Sequence, residues 1–170
     1  MWDQMQIGLD IATALSVIGA AIAFIWNSSR SRKQEVKERY KEMITTNMWQ
    51  TIQRVYEEQK ELHTELTRIN EDLVQGKTNQ DLTQFKFCLL DLAFVFKTSI
   101  MPFDRTYGKG ELIKLAEAYK EELFAYGMVV KRATVDQSGE EFDFDEFINI
   151  TDKYMAQFMK MNEEYIANYK

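Results

Sequence analysis

The chain has 170 residues, of which 21 are basic and 27 acidic, giving a net charge of −6. It has no broad positive field to neutralise a phosphate backbone, so we expect no direct nucleic-acid binding. A single cysteine, Cys88, excludes an intramolecular disulfide framework and agrees with a reducing compartment. One proline and seven glycines are typical of long, uninterrupted helices.

Residues 7–26 form an apolar stretch with one charge, Asp10. A helix of this length spans about 30 Å, the thickness of a bilayer's hydrocarbon core. Lys and Arg are absent before it, and a basic collar follows it: Arg30, Arg32, Lys33, Lys37 and Arg39. The pattern predicts a transmembrane helix within residues 1–29, with its N-terminus outside a bacterial inner membrane and the remainder cytoplasmic. A buried helix of a soluble domain and a cleaved signal peptide are the alternatives, although a signal peptide would place its basic residues first.

The side chains of this predicted span fall on three faces of a helix, one of which is bulky and suited to lipid. A second face carries small residues that allow close helix packing between copies: Ala12, Ser16, Gly19, Ala20 and Ala23. The third face is the candidate pore lining: Gln6, Asp10, Thr13, Val17 and Phe24. A ring of Asp10 carboxylates would attract cations, although Asp10 could equally lie at the outer interface and reach water.

The segment 30–76 joins the basic collar to a long amphipathic helix over residues 33–73. Apolar residues recur there at three- and four-residue steps, and the sequence leaves open whether the helix is continuous with the span. Gln75 and Gly76 end it, since glycine is the usual residue past a helix terminus. We expect the collar to contact anionic lipid headgroups.

Residues 77–170 read as a bundle that brings the total to about four helices. Asn79 or Asp81 caps a helix that runs to about Ile100 and stops at Pro102. Its run 85–96 is apolar nearly all round, which predicts a central buried helix with Cys88 as an inert core residue. A loop follows over residues 103–110.

Two further amphipathic helices complete the predicted all-α fold. One runs from Glu111 to about Lys131, and the last occupies about 144–169, after an acidic loop over 134–145. The Met and aromatic side chains of the last helix indicate core packing or, alternatively, an adaptable partner-binding surface.

Residues able to support catalysis or metal binding are sparse. His63 is the only histidine, and it lies on a charged helix where a solvated side chain is expected. The loop 134–145 has the oxygen spacing of a calcium loop at several places, but Glu141 stands where an aliphatic residue is expected and Asp145 replaces the bidentate Glu. We therefore predict no enzyme activity, no metal and no cofactor.

The layout resembles the small membrane accessory proteins of type VI-B CRISPR systems. The resemblance depends on the span 7–26, the basic residues 30–41 and the helical remainder with its apolar run 85–96. It implies a degenerate HEPN-like helical domain, assembly into a membrane pore that strengthens antiphage defence, and an RNA-guided effector as a partner. The Arg–His spacing of RNA-cleaving HEPN domains is missing, because Arg54 is nine positions before His63.

Two functions therefore remain open. The first is a ring-like homo-oligomeric pore that depolarises the membrane, built from the small-residue and pore-lining faces of the predicted span. The second is a membrane-tethered helical adaptor that docks a cytosolic partner protein without forming a pore.

Overall fold

The computed structural model describes residues 2–77, 81–135 and 142–168, without the side chains of residues 2–19, 21 and 22. Throughout these residues the fold is all-α, as the sequence predicted, with no β-strand. The elements in chain order are α1 (Trp2–Val74), α2 (Thr83–Phe103), a π-helical turn (Asp104–Gly108), α3 (Glu111–Thr134) and α4 (Glu146–Asn168).

The predicted membrane span is contradicted. Among the residues that the structure describes, no helix is both long enough and apolar enough to cross a bilayer. The apolar stretch 7–26 does not end as a separate element, because α1 continues without a break into the charge-rich residues 30–42. The single-span architecture and the inner-membrane location are therefore corrected, while most side chains of the stretch itself lie outside the described residues.

Helix α1 extends beyond the predicted stalk at both ends. It is one helix from Trp2 to Val74, so the continuity left open by the sequence is settled, and the chain divides into two compact units near Met43. In the N-terminal unit, Phe24 and Trp26 are exposed. Arg39 of the basic collar donates to Glu35 one turn earlier at 2.6 Å, a pair that contributes little in water.

The C-terminal unit begins at Ile44, where α1 contributes one side of a helical bundle. The residues of α1 that are buried there recur at three-, four- and seven-residue steps: Ile44, Met48, Ile52, Val55, Leu62, Leu66 and Ile69. The helix ends as predicted at Gly76, which has a φ of +71° and donates its backbone N–H to the Leu73 carbonyl at 2.9 Å. Local backbone chemistry therefore fixes this boundary.

Helix α2 is only partly the buried helix that the sequence predicted. The N-cap position is Leu82, which makes no side-chain cap, while the carboxylate of Asp81 just before it accepts the Thr83 backbone N–H at 2.9 Å. Asn79, the other predicted cap, lies outside the described residues. Phe85, Leu92 and Phe96 are buried, but other large apolar side chains of the same helix are exposed. Helix α2 buries only those apolar faces that neighbouring helices cover, and its other apolar side chains stay exposed to solvent.

The connection from α2 to α3 differs from the predicted loop. Pro102 lies inside α2 and does not stop it, and residues 104–108 form a π-helical turn. Proline near a helix end removes few hydrogen bonds, so the chain continues to wind for several more residues. A short reversal at Lys109 and Gly110, both with positive φ, then starts α3.

The centre of the bundle is aromatic. The Phe96 ring of α2 lies edge-on to Tyr119 of α3 and to Phe158 of α4, with centroid distances of 5.4 and 5.6 Å. Ion pairs join the same helices at the surface: Lys97 to Glu117, and Lys153 to Glu122 at 2.7 Å. Helices α2 and α3 thus form an antiparallel hairpin, onto which α4 packs.

Candidate functional site

The predicted pore and packing faces cannot be located in full. The side chains of the following residues lie outside the described ones: Gln6, Asp10, Ala12, Thr13, Ser16, Val17 and Gly19. Three others are exposed: Ala20, Ala23 and Phe24. These assignments stay predictions, and no described contact joins their members.

The sequence offered few candidates for metal binding or catalysis, and the structure describes only some of them. Within residues 2–77, 81–135 and 142–168, no group of three or more His, Cys, Asp or Glu side chains has the arrangement of a metal site. His63 is exposed and lies edge-on to Phe144 at a centroid distance of 5.1 Å. Six residues of the tested calcium loop, 136–141, lie outside the described residues.

Cys88 is buried in the bundle, as the sequence predicted. Burial raises the pKa of its thiol above the ordinary value, and the nearby carboxylates of Glu65 and Glu61 add to the effect. The thiolate is the reactive form of cysteine, so this environment disfavours nucleophilic chemistry.

A groove with a volume of about 440 Å³ lies between α2 and α3. Its walls are almost entirely carbon. The residues that line this α2–α3 groove are Leu82, Phe85, Lys86, Leu89, Leu90, Phe124, Gly127, Met128 and Lys131. One wall comes from α2 and the other from α3, which are the two helices of one hairpin, so the groove runs along the helix axes.

Gly127 allows the two helices to approach closely at the floor of the groove. A Cβ atom at this position would lie 2.6 Å from Cδ1 of Leu89 and 3.8 Å from the Phe85 ring. Real Cβ atoms do not approach carbon this closely, so only glycine fits against the present Leu89 rotamer. The depth and shape of the groove therefore depend on Gly127.

Three large side chains of α2 are exposed beside and within the groove, and we call them the α2 stripe: Phe87, Leu90 and Phe94. They are 54, 48 and 63 % exposed, and Met128 on the α3 side is 54 % exposed. The spacing of three and four residues places the stripe on one helical face, with Leu90 shared between stripe and groove. Contiguous exposed apolar surface of this kind marks interaction sites.

Two lysines form the basic part of the groove rim. Lys86 is exposed and Lys131 is half-buried, and within the described residues neither forms an ion pair. Hydrogen bonds from Thr83 hold the pKa of Asp81 below its usual value, with smaller help from the charges of Arg68 and Lys86. Among the residues that the structure describes, no ion pair therefore occupies either ammonium group.

A second polar cluster lies inside the bundle and is internally satisfied. The Tyr107 hydroxyl donates to Oδ1 of Asn162 at 2.9 Å, and Nδ2 of Asn162 donates to the Phe158 carbonyl at 2.7 Å. Asn47 of α1 reaches the same Tyr107 oxygen at 3.5 Å. The cluster ties α1, the π-helical turn and α4 together, which is a structural task.

The groove was not predicted from the sequence, because the apolar run of α2 was assigned wholly to the core. The spacing of Phe87, Leu90 and Phe94 is visible in the sequence, but equally regular spacings connect the buried residues of the same run. The Met and aromatic residues of α4 were interpreted as core or, alternatively, as a partner surface, and the burial of Met155 and Phe158 agrees with core.

No protein-family model, curated protein or solved structure matches the chain. The resemblance to membrane accessory proteins of type VI-B CRISPR systems therefore stays a prediction.

Proposed function

We propose that this protein is a helical adaptor that binds a partner protein by receiving an amphipathic helix of that partner in the α2–α3 groove. The observation that carries the proposal is an apolar groove whose lining includes the exposed side chains of Leu90 and Met128, with two more exposed phenylalanines of the α2 stripe beside Leu90. A pore would require a membrane span, whereas docking requires only a folded helical surface. The proposal accordingly keeps the adaptor hypothesis and omits its membrane tether.

The shape of the surface favours a helix as the occupant. A groove between two helices accepts the side-chain ridge of a third helix, as in other helix-in-groove complexes. The stripe extends from position 87 to position 94, about 10 Å along the helix axis, which corresponds to two turns of a partner helix. Leucine or phenylalanine side chains spaced three and four apart on that helix would contact Leu90 and Met128.

The composition of the surface favours binding over catalysis. Its lining has no histidine, carboxylate, hydroxyl or thiol, so it offers lysine amines but no acid–base pair for a reaction. Met128 is an unbranched, flexible side chain of the kind that adapts to different apolar partners. We therefore infer a non-enzymatic role for this site.

The test uses a stapled amphipathic helix of about five turns with leucine at its a and d positions and glutamine elsewhere. Fluorescence anisotropy should give a Kd of about 10 µM or tighter for the full chain. Leu90→Asp should weaken binding at least tenfold, because it places a carboxylate in the apolar contact. Val74→Asp is the matched control, since Val74 is exposed at the end of α1 and away from the groove lining.

Thermal melts of both variants must match the unmodified chain, so that lost binding is not lost folding. Equal peptide affinity for Leu90→Asp and the unmodified chain, or no binding at all, would overturn the proposal. Sedimentation velocity tests whether a second copy of the chain, and not a partner protein, occupies the groove. If the chain is a dimer that only Leu90→Asp converts to a monomer, a second copy covers the groove and the partner-protein proposal fails.

A further inference from the structure

We infer that the helix received by the α2–α3 groove is acidic, with carboxylates that pair with Lys86 and Lys131. This inference rests on the proposed function and specifies the chemistry of the partner. It depends on three observations: both lysines line the apolar groove, they lie at the same end of it, and they form no ion pair within the described residues.

The pairing of α2 with α3 places the two lysines together. Leu89 lies against Gly127, and Lys97 pairs with Glu117 nearer the connection between the helices. In this antiparallel register, earlier positions of α2 face later positions of α3. Lys86 and Lys131 therefore both lie at the open end of the hairpin, beyond Leu89 and Gly127.

Among the residues that the structure describes, nearby acidic groups do not neutralise this end. Asp81, which interacts with Lys86, already accepts the Thr83 N–H and lies near the Arg68 guanidinium. Asp91 and Glu121 are exposed on α2 and α3, but both lie further along the hairpin. Within the described part of the chain, the open end thus carries two lysines without an ion pair beside an apolar surface.

An amphipathic helix with glutamates beside its leucines complements both features. Apolar contact supplies most of the affinity, whereas charge pairs at a solvent-exposed rim contribute about 0.2–1 kcal/mol each. Two such pairs correspond to an affinity gain of about two- to thirtyfold. They also favour acidic over basic helices, since like charges at the same rim repel.

The experiment compares three stapled helices with the same leucine stripe and either glutamate, glutamine or lysine at the flanking positions. Binding to the full chain is measured by fluorescence anisotropy at low and at high salt. We expect the glutamate helix to bind at least threefold more tightly than the glutamine helix and the lysine helix to bind least tightly. High salt should reduce these differences, because the rim is exposed to solvent.

Two charge-matched double variants locate the effect. Lys86→Gln with Lys131→Gln should bring the glutamate helix to the affinity of the glutamine helix. Lys114→Gln with Lys160→Gln removes the same charge from exposed positions outside the groove and should preserve the difference. A glutamate preference that survives the first double variant would overturn the inference.

The outcomes separate this inference from the proposed function. If the glutamine helix binds through Leu90 but the glutamate helix binds no better, the acidic preference is wrong and the docking function stands. If no helix binds, both fail. Dodecanoate is included as a further probe: saturable binding of dodecanoate without binding of any helix would make the groove a site for acyl-chain carboxylates and would overturn both.

Discussion

The carboxylate of Asp104 accepts the backbone N–H of Leu112 at 2.9 Å, eight residues further along the chain. The same oxygen lies 3.3 Å from the Ile113 N–H, so one buried side chain of the π-helical turn satisfies two N–H groups in the first turn of α3. Gly110 occupies the capping position itself and has no side chain to do this. The hairpin of α2 and α3 therefore depends on a cap supplied from outside α3.

Replacing Asp104 by alanine should lower the free energy of unfolding by about 1–2 kcal/mol, because two N–H groups lose their acceptor. Urea denaturation followed by circular dichroism measures the change. Asp104→Asn is the matched variant: it keeps an acceptor oxygen and loses only the charge, so its loss should be smaller. Equal stability of Asp104→Ala and the unmodified chain would contradict the capping role.

Gly108 should tolerate no side chain, because a Cβ atom would lie 2.6 Å from Oδ1 of Asp104 and 2.9 Å from Cγ of Leu112. Gly108→Ala is expected to cost about 1–3 kcal/mol through displacement of the cap. Gly76→Ala is the comparison, since the space around Gly76 is open and only its φ of +71° is unfavourable for alanine. Denaturation midpoints should rank Gly108→Ala below Gly76→Ala, and the reverse order would refute the steric argument.

We expect the buried hydrogen bond from Tyr107 to Asn162 to contribute more to the free energy of unfolding than hydrogen bonds at the surface do. Tyr107→Phe removes the hydroxyl donor and leaves the buried Oδ1 of Asn162 short of a partner, at a cost of about 1–3 kcal/mol. A double-mutant cycle with Asn162→Leu measures the coupling between the two residues. Additive losses would show that the two side chains act independently.

Gly127→Ala should separate binding from stability. Alanine favours a helix interior over glycine by about 1 kcal/mol, and the clashing atom is the end of the flexible Leu89 side chain. We expect an unchanged or slightly higher melting temperature and at least a threefold weaker affinity for the leucine-striped helix, because Leu89 moves into the groove. Unchanged affinity with an unchanged melting temperature would show that the groove floor does not contact the ligand.

Alkaline pH should destabilise the bundle through its tyrosines. Burial, followed by the 2.8 Å hydrogen bond to Asp152, raises the pKa of Tyr56 to about 12. An unfolded tyrosine ionises near pH 10, so the native state holds the proton more tightly and stability falls as pH rises from about 10 to 12. Tyr56→Phe should reduce this slope in urea titrations at pH 9, 10 and 11, and an identical slope would contradict the assignment.

Local patterns in the sequence were sufficient for the helices and most of their ends. The three- and four-residue spacing from Ile44 to Ile69 predicted the buried face of α1, and Gly76 predicted its end, because both depend on residues near in sequence. Asp81 was predicted as a cap, but the N-cap position is Leu82, and Asp81 instead accepts the Thr83 N–H from one residue earlier. Composition was also sufficient to predict an all-α fold.

Hydropathy alone was insufficient for the membrane assignment. In the sequence, the stretch 7–26 has the length and the low polarity of a membrane span. In the structure it is part of a helix of 73 residues, and the described part of that helix is not apolar enough to cross a bilayer. Window-based hydropathy measures the solvent preference of a segment and does not include what the segment is joined to.

Only the tertiary structure determined which apolar faces of the helices stay exposed to solvent. The run 85–96 has apolar residues on every side, so periodicity could not distinguish the face that packs against Phe158 from the face that exposes Leu90. The cap by Asp104 and the close contact at Gly127 likewise join residues that are separated in sequence, and no local preference specifies them. The sequence therefore determined the helices, whereas the arrangement of neighbours around α2 determined the groove and the exposed α2 stripe.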